Sequence, residues 1–444
     1  MTKINNISRK DFLKRSSLSL AAIAFSSQFT DADGELVRNE DVGPGQLRLK
    51  NVRLETGFEY DQEGEVIATK TDLFYLEIDN GKIKSISPNI PNAKAIDIKG
   101  HLMLPFFRDM HIHLDKTYYG DTWQATRKRT NGVKGMIALE QKILPELLKT
   151  STQKAEKLIE LLQSKGTGFA RSHVNIEPTS KLQSLKNLQK ALEKKQNTFN
   201  AELVAFPQHG LFYTDSVPYL KDAAQMDIDF IGGLDPFTID GAIEKSIDFT
   251  IQLALDNHKG IDIHLHESGD SGLKTLEYLI KKVDENPMLK GKTFVSHCFV
   301  LGKLEKAKLE EIAEKLGNSQ IGIATTIPIG TLIMPIPTLY KYNVKVMTGN
   351  DSIIDHWNTY GTGSVLHKAN LMAQLYSYNT EFMLSRSLKI ATGDILPLDD
   401  NGKQQWPKVG DKANLAFVNA SCSAEAVARI SNVTSLIHEG NTVF

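Results

Sequence analysis

Apolar and polar positions change rhythm twice along this chain. From Gln46 they alternate with period two: Leu47, Leu49, Val52 and Leu54, then Phe74–Ile78, then Ile83–Ile86. Asp79-Asn80-Gly81 between the last two runs signals a hairpin, because Asn and Gly accept the positive φ a tight turn requires. The far end reads alike, with Leu415–Val418, Val433–Ile437 and Thr442–Phe444, and Glu439-Gly440-Asn441 as the turn. The two ends, 41–100 and 401–444, therefore predict one small β-domain built from both. Between them, over 101–400, short apolar runs are separated by helical periodicity. A buried strand opens at Leu102, and further runs follow at Phe169–Val174, Leu203–Phe206, Phe230–Leu234, Ile261–His264, Thr293–Ser296, Gly322–Thr325 and Val344–Thr348. Amphipathic stretches such as Ala155–Leu162, Leu185–Leu192, Ile243–Leu255, Leu276–Val283 and Leu304–Leu316 lie between most of them. Eight strands with helices interposed predict parallel βα units closed into a (β/α)8 barrel. An open doubly wound sheet is the alternative, but no Gly-x-Gly-x-x-Gly follows a strand.

The N-terminus departs from this pattern. Lys3, Arg9, Lys10, Lys14 and Arg15 precede a short apolar run, Leu18–Phe25, too short to span a bilayer and suited to an export signal. Ser8-Arg9-Lys10-Asp11-Phe12-Leu13-Lys14 resembles a twin-arginine signal with lysine at the second position, which predicts a periplasmic protein. Residues 1–40 are set apart as export signal and N-terminal tail; a basic amphipathic tail in a cytoplasmic protein is the other reading.

Composition narrows the classes. Apolar content of 41% and charged content of 24% are ordinary for a globular chain, and a net charge of −1 gives no reason to expect nucleic acid. Cys298 and Cys422 alone support neither a disulfide framework nor a zinc ribbon. No segment reads as a membrane span, and nothing in the composition argues against a homo-oligomer.

The chemistry gathers at strand ends. Side chains alternate along a strand, so His111 and His113 point the same way and suit a divalent transition metal. Later strands end at His173, Gln208, His264 (with Glu267 three residues on), His297 and Asp351, where a barrel carries its functional groups. Each has an ordinary explanation alone; their shared register does not.

These residues resemble the amidohydrolase superfamily, in its cytosine-deaminase-like branch. The resemblance covers roughly 46–444 and rests on His111-Ile112-His113-Leu114-Asp115, Arg171-Ser172-His173-Val174, Val204-Ala205-Phe206-Pro207-Gln208, Ile261-Asp262-Ile263-His264 with Glu267, Ser296-His297, Gly349-Asn350-Asp351 and Asp355-His356-Trp357. It implies a distorted TIM barrel beside a small β-sandwich, with one divalent ion on His111, His113, His264 and Asp351. That His/Asp set accepts zinc or iron. It further implies that His297 and Asp351 take a proton from water and that Glu267 shuttles one to the substrate. Gln208, Lys116, Ser352, Trp357 and His173 would face the substrate.

The implied reaction is hydrolytic deamination of a small heterocycle of cytosine or aminotriazine type. A cyclic amidase of hydantoinase or dihydroorotase type is the competing enzyme, and a non-catalytic periplasmic binding protein the competing class. Phe230–Leu234 holds no lysine to bridge two metals, which favours the deaminase. Ser352, where bacterial cytosine deaminase has aspartate, is expected to widen the pocket, and Lys116 to bring a cation near it. Cytosine is then expected to be a poor substrate, improved by Ser352→Asp. The connection Thr117–Lys149, with Trp123 and Arg127-Lys128-Arg129, is expected to overhang the barrel mouth. His266 shares a strand face with His264, but only His264 lies three residues before Glu267.

Overall fold

The computed structural model describes residues 45–128 and 130–444; the export signal read in 1–40 and Arg129 of the basic cluster lie outside these. The chain enters through β1 (Gln46–Tyr60), β2 (Val66–Asp79) and β3 (Lys82–Pro88), an antiparallel series, followed by β4 (Ile96–Asp97) alongside β1. The expected turn falls at Asn80-Gly81, with φ of 49° and 74°, as a two-residue hairpin demands.

The stretch from Leu102, expected as one strand, is two. In β5 (Leu102–Pro105) the chain pairs with β1; in β6 (Phe107–Ile112) it opens the second sheet. The change of partner is local: the Phe106 amide donates to Asn414, and the Phe107 amide to Gly166. Pro105, with no amide proton, marks the switch.

The second sheet runs in chain order through β7 (Thr167–Asn175), β8 (Asn200–Phe206), β9 (Phe230–Leu234), β10 (Gly260–His264), β11 (Thr293–Ser296), β12 (Ile321–Thr325) and β13 (Val346–Thr348), with parallel neighbours throughout. A parallel bridge between Ile112 and Asp351 closes it, with Asp351 N–H donating to His111 O at 2.7 Å and His113 N–H to Asp351 O at 3.1 Å. This is a nearly closed eight-stranded barrel of TIM type with a separate sheet domain. Gly349 sits where the two ends meet, and a Cβ there would overlap the His111 carbonyl. The separate sheet is completed by β14 (Leu415–Val418), β15 (Val433–His438) and β16 (Asn441–Thr442), with β14 pairing β5.

The predicted helices form at Ser151–Ser164, Gln183–Lys195, Ile243–Asp256, Asp270–Glu285 and Lys306–Asn318. Their apolar faces cover the barrel strands in one large core. The Thr117–Lys149 connection is not only a loop: it holds α1 (Gly132–Leu147), which buries Met136, Ile137, Glu140 and Leu144. Among the described residues no helix is long and apolar enough to cross a membrane.

Candidate active site

The barrel interior rises in layers to a cluster of histidines. Met110, Val204, Phe230, Phe294, Ala324 and Met347 make an apolar plug. Above it the Arg171 guanidinium lies 4.0 Å from the Phe230 ring and 4.1 Å from that of Phe294, and donates to Asp262 at 3.0 Å. Ser296 Oγ donates to the other Asp262 oxygen at 2.6 Å and meets His111 Nδ1 at 2.8 Å. With its own proton given to Asp262, Ser296 can only accept from His111, so His111 carries hydrogen on Nδ1 and a bare Nε2. His113 is set the same way, Nδ1 donating to the His173 carbonyl at 3.1 Å.

Both bare Nε2 atoms lie 3.4 Å from Asp351 Oδ1. Three acceptors facing one another have no reason to converge unless a cation sits among them. Among the described residues, neither ring nitrogen of His264 or of His173 has a hydrogen-bond partner, although both rings are buried. One ligand atom from each of His111, His173 and His264 lies within 4.8 Å of the others, as for His111, His113 and Asp351. Of the sequence-implied set, His111, His113 and Asp351 form one triad, and His264 joins through His111 in the other, beside His173. His173, read as a substrate contact, is placed instead among the histidines, its ring 4.3 Å from that of His111 and 4.6 Å from that of His264.

Electrostatics match that arrangement. Burial, then the neighbouring imidazoles, holds His173 and His264 well below the ordinary histidine range, and burial with Lys116 takes His113 down to about 4. Neutral imidazoles with one carboxylate are the donor set of a divalent site.

Around the cluster, Glu267 is anchored through one oxygen. Oε1 accepts from the Phe237 and Thr238 amides, each at 3.0 Å, while Oε2 is buried without a partner. The His297 ring lies 4.8 Å from His111 and 4.4 Å from His266. His297 and Asp351 hold φ of 67° and 62°, a conformation that non-glycine residues adopt at a local cost. His266 is tied to Asp235 through Nδ1 at 2.9 Å, leaving His264 as the ring facing His111 at 4.7 Å.

A second buried cluster flanks the first. Lys116, only 1% exposed, is no solvated lysine: Nζ donates to Gln208 Oε1 at 2.5 Å and Asn175 Oδ1 at 3.4 Å, and lies 3.8 Å from Glu140 Oε1. Its charge is thus already countered by the protein. Glu140 also accepts from Asn175 Nδ2, from His356 Nε2 at 2.9 Å and from Trp357 Nε1 at 2.8 Å. Burial opposes its ionisation, but Lys116, His356 and His209 hold it well below the carboxylate range. His209, 3.1 Å from Glu177 without hydrogen-bond alignment, resists burial because Glu140 and Glu177 push it up to about 9.

Ser352 is itself buried. Burial raises Asp355 above the carboxylate range, while His356, Lys116 and the Ser352 hydroxyl pull the other way. An aspartate in place of Ser352 would confront Asp355. Arg127, Lys128 and Trp123 are exposed.

Sequence reasoning missed Glu140, His209, Glu177 and the Ser296–Asp262 support. Glu140 did leave a signal: with Ile137 and Leu144 it shares one apolar helical stripe, where an unpaired carboxylate does not belong.

No family model matches the chain. It is 51% identical over 401 residues to Uncharacterized protein YahJ of Escherichia coli (strain K12), covering 89% of this chain and 87% of that protein. Its fold is that of N-isopropylammelide isopropylaminohydrolase from Burkholderia multivorans, with TM-score 0.77, 24% identity, and 90% and 98% of the two chains covered. It is also that of 5-methylcytosine deaminase from Klebsiella pneumoniae liganded with 5-fluorocytosine, with TM-score 0.74, 24% identity, and 90% and 97% covered.

Proposed function

We propose that this chain, a hydrolase of carbon–nitrogen bonds in the amidohydrolase superfamily, removes ammonia or an alkylamine from a small nitrogen heterocycle. The observation that carries this reading is the convergence of bare His111 and His113 nitrogens on Asp351. One divalent ion, zinc or iron, would be held by His111, His113, His264 and Asp351, with His173 adjacent. Such an ion supplies Lewis acidity and brings the ionisation of water close to neutral pH.

The chain's own groups do the rest. Ser296 and the His173 carbonyl hold the two ligand rings in their tautomers. His297, kept neutral by burial and by His266, accepts a proton from attacking water next to Asp351. Glu267, fixed through Oε1 by the Phe237 and Thr238 amides, relays water's two protons through Oε2, one to a ring nitrogen and the other, taken up first by His297, to the leaving amine. Gln208, held in turn by Lys116, meets the far edge of the ring. A cyclic amidase would need a bridging carboxylated lysine, and β9 offers none.

The test joins metal analysis to ammonia release from a panel of aminopyrimidines and aminotriazines. One tightly bound ion per chain is expected, with kcat reduced about 10²–10⁴-fold in Glu267→Gln and the metal retained. Two ions with a modified lysine would overturn the reading. Export by a twin-arginine route is proposed alongside, on the basic start and short apolar run of residues 1–40. Cell fractionation finding the full-length chain in the cytoplasm would refute it.

A further inference from the structure

A lysine ammonium has three donors and no acceptor. The Gln208 atom that Lys116 Nζ meets at 2.5 Å is therefore the amide oxygen, and the amide cannot turn over without setting its own N–H groups against a cation. Gln208 Nε2 makes no hydrogen bond among the described residues. Lys116 is fixed in turn by Asn175 Oδ1 at 3.4 Å and by Glu140 Oε1 at 3.8 Å, out of reach of solvent. The other Glu140 oxygen accepts from His356 and Trp357. One fully buried carboxylate on α1 thus joins groups from the segments after β6 and β13 and from the end of β7.

We propose that Glu140 is a positioning residue: through Lys116 it fixes the Gln208 amide with only N–H groups free, making a donor-only subsite that selects a ring edge bearing oxo acceptors over one bearing amino groups. The proposal rests on the barrel mouth being a heterocycle site and names the substrate edge that site prefers. A free glutamine serves either edge, because a half-turn of its amide exchanges oxygen for nitrogen. With the oxygen held, an amino edge would set N–H against N–H. A mismatch of that kind between buried polar groups lowers affinity by about tenfold or more.

The test is calorimetric and needs no turnover. The metal-loaded full chain carrying Glu267→Gln is titrated with uracil and with 2,4-diaminopyrimidine, rings of the same shape that exchange oxo for amino groups. Uracil is expected to bind at least about tenfold more tightly. Adding Glu140→Gln, which keeps the shape and removes the charge, should bring the ratio close to one, and Glu140→Asp should restore part of it. Lys116→Met, which frees the amide to turn, should abolish the preference even if Glu140→Gln fails to fold. Equal binding of the two rings, no binding of either, or a preference that survives Lys116→Met would overturn the proposal. Ammonia release by the unsubstituted enzyme decides the proposed reaction separately, so the two readings fail independently.

Discussion

Two clusters of buried polar side chains lie next to each other at the barrel mouth, and they are built on opposite terms. In the first, His111, His113, His173, His264 and His297 are kept uncharged or left with bare nitrogens around Asp351, and several of those nitrogens have no protein partner. In the second, Lys116 and His209 are set against Glu140 and Glu177, and the Glu140 carboxylate receives hydrogen bonds on both oxygens. Unpaired acceptors in a dry interior are costly, so the first arrangement makes sense as a receptacle for a cation from outside. Internally neutralised charges cost far less, so the second makes sense as a rigid support. Burial alone does not separate them; the balance of donors and acceptors does.

Titration should divide the clusters most sharply. His113, His173, His264 and His297 of the first fold in the neutral state with depressed pKa values. Below pH 6.5 the unfolded chain takes up protons that the fold refuses, so stability falls as the pH drops, and for His113 the loss continues to about pH 4. His113 alone is worth on the order of 3 kcal/mol, with the other rings adding to it. His209 has the opposite sign: its contribution is complete below pH 6.5 and disappears as the pH rises through about 9. Denaturant melts of the metal-free protein across that range should show both limbs, and metal should protect the acid one. A flat profile would erase the distinction between the clusters.

Removing one partner from the paired cluster comes next. Glu140→Ala strands Lys116 as a buried cation and leaves His209 with Glu177 alone; it should cost about 3–5 kcal/mol in stability and shrink the alkaline limb. The change to follow is the midpoint of chemical denaturation. A loss below about 1 kcal/mol would mean that water enters this cluster and the charges were never dry.

Ser296→Ala tests the support of the first cluster. It frees the His111 tautomer and should weaken metal affinity by about 10–100-fold with little effect on folding. Competition against a chelator measures it, and unchanged affinity would remove Ser296 from the site. The smallest effect belongs to the surface: Lys308→Ala breaks exposed contacts with Glu277 at 2.8 Å and Glu311 at 3.1 Å. It should leave the denaturation midpoint almost unmoved, and any small shift should vanish in high salt.

Much of the barrel was readable because strand and turn preferences act over a few residues. The period-two runs and the Asn80-Gly81 turn reappear where they were read, and the strand-end residues His111, His113 and Asp351 lie together, with His264 beside His111. The same logic misjudged the stretch from Leu102, because the switch at Phe106 depends on Asn414 and Gly166, distant partners that no local pattern announces. Lys116 was read as a cation near the pocket and Ser352 as an opening, since a residue's charge and size are visible in a sequence while its partners are not. By itself the sequence determined the order of strands and helices and the kind of chemistry they carry to one end of the barrel. Only the tertiary structure decided which nitrogens are bare and which charges are neutralised. Those depend on contacts such as His111 with Ser296 and Trp357 with Glu140, 185 and 217 residues apart, which exist only once the barrel has closed.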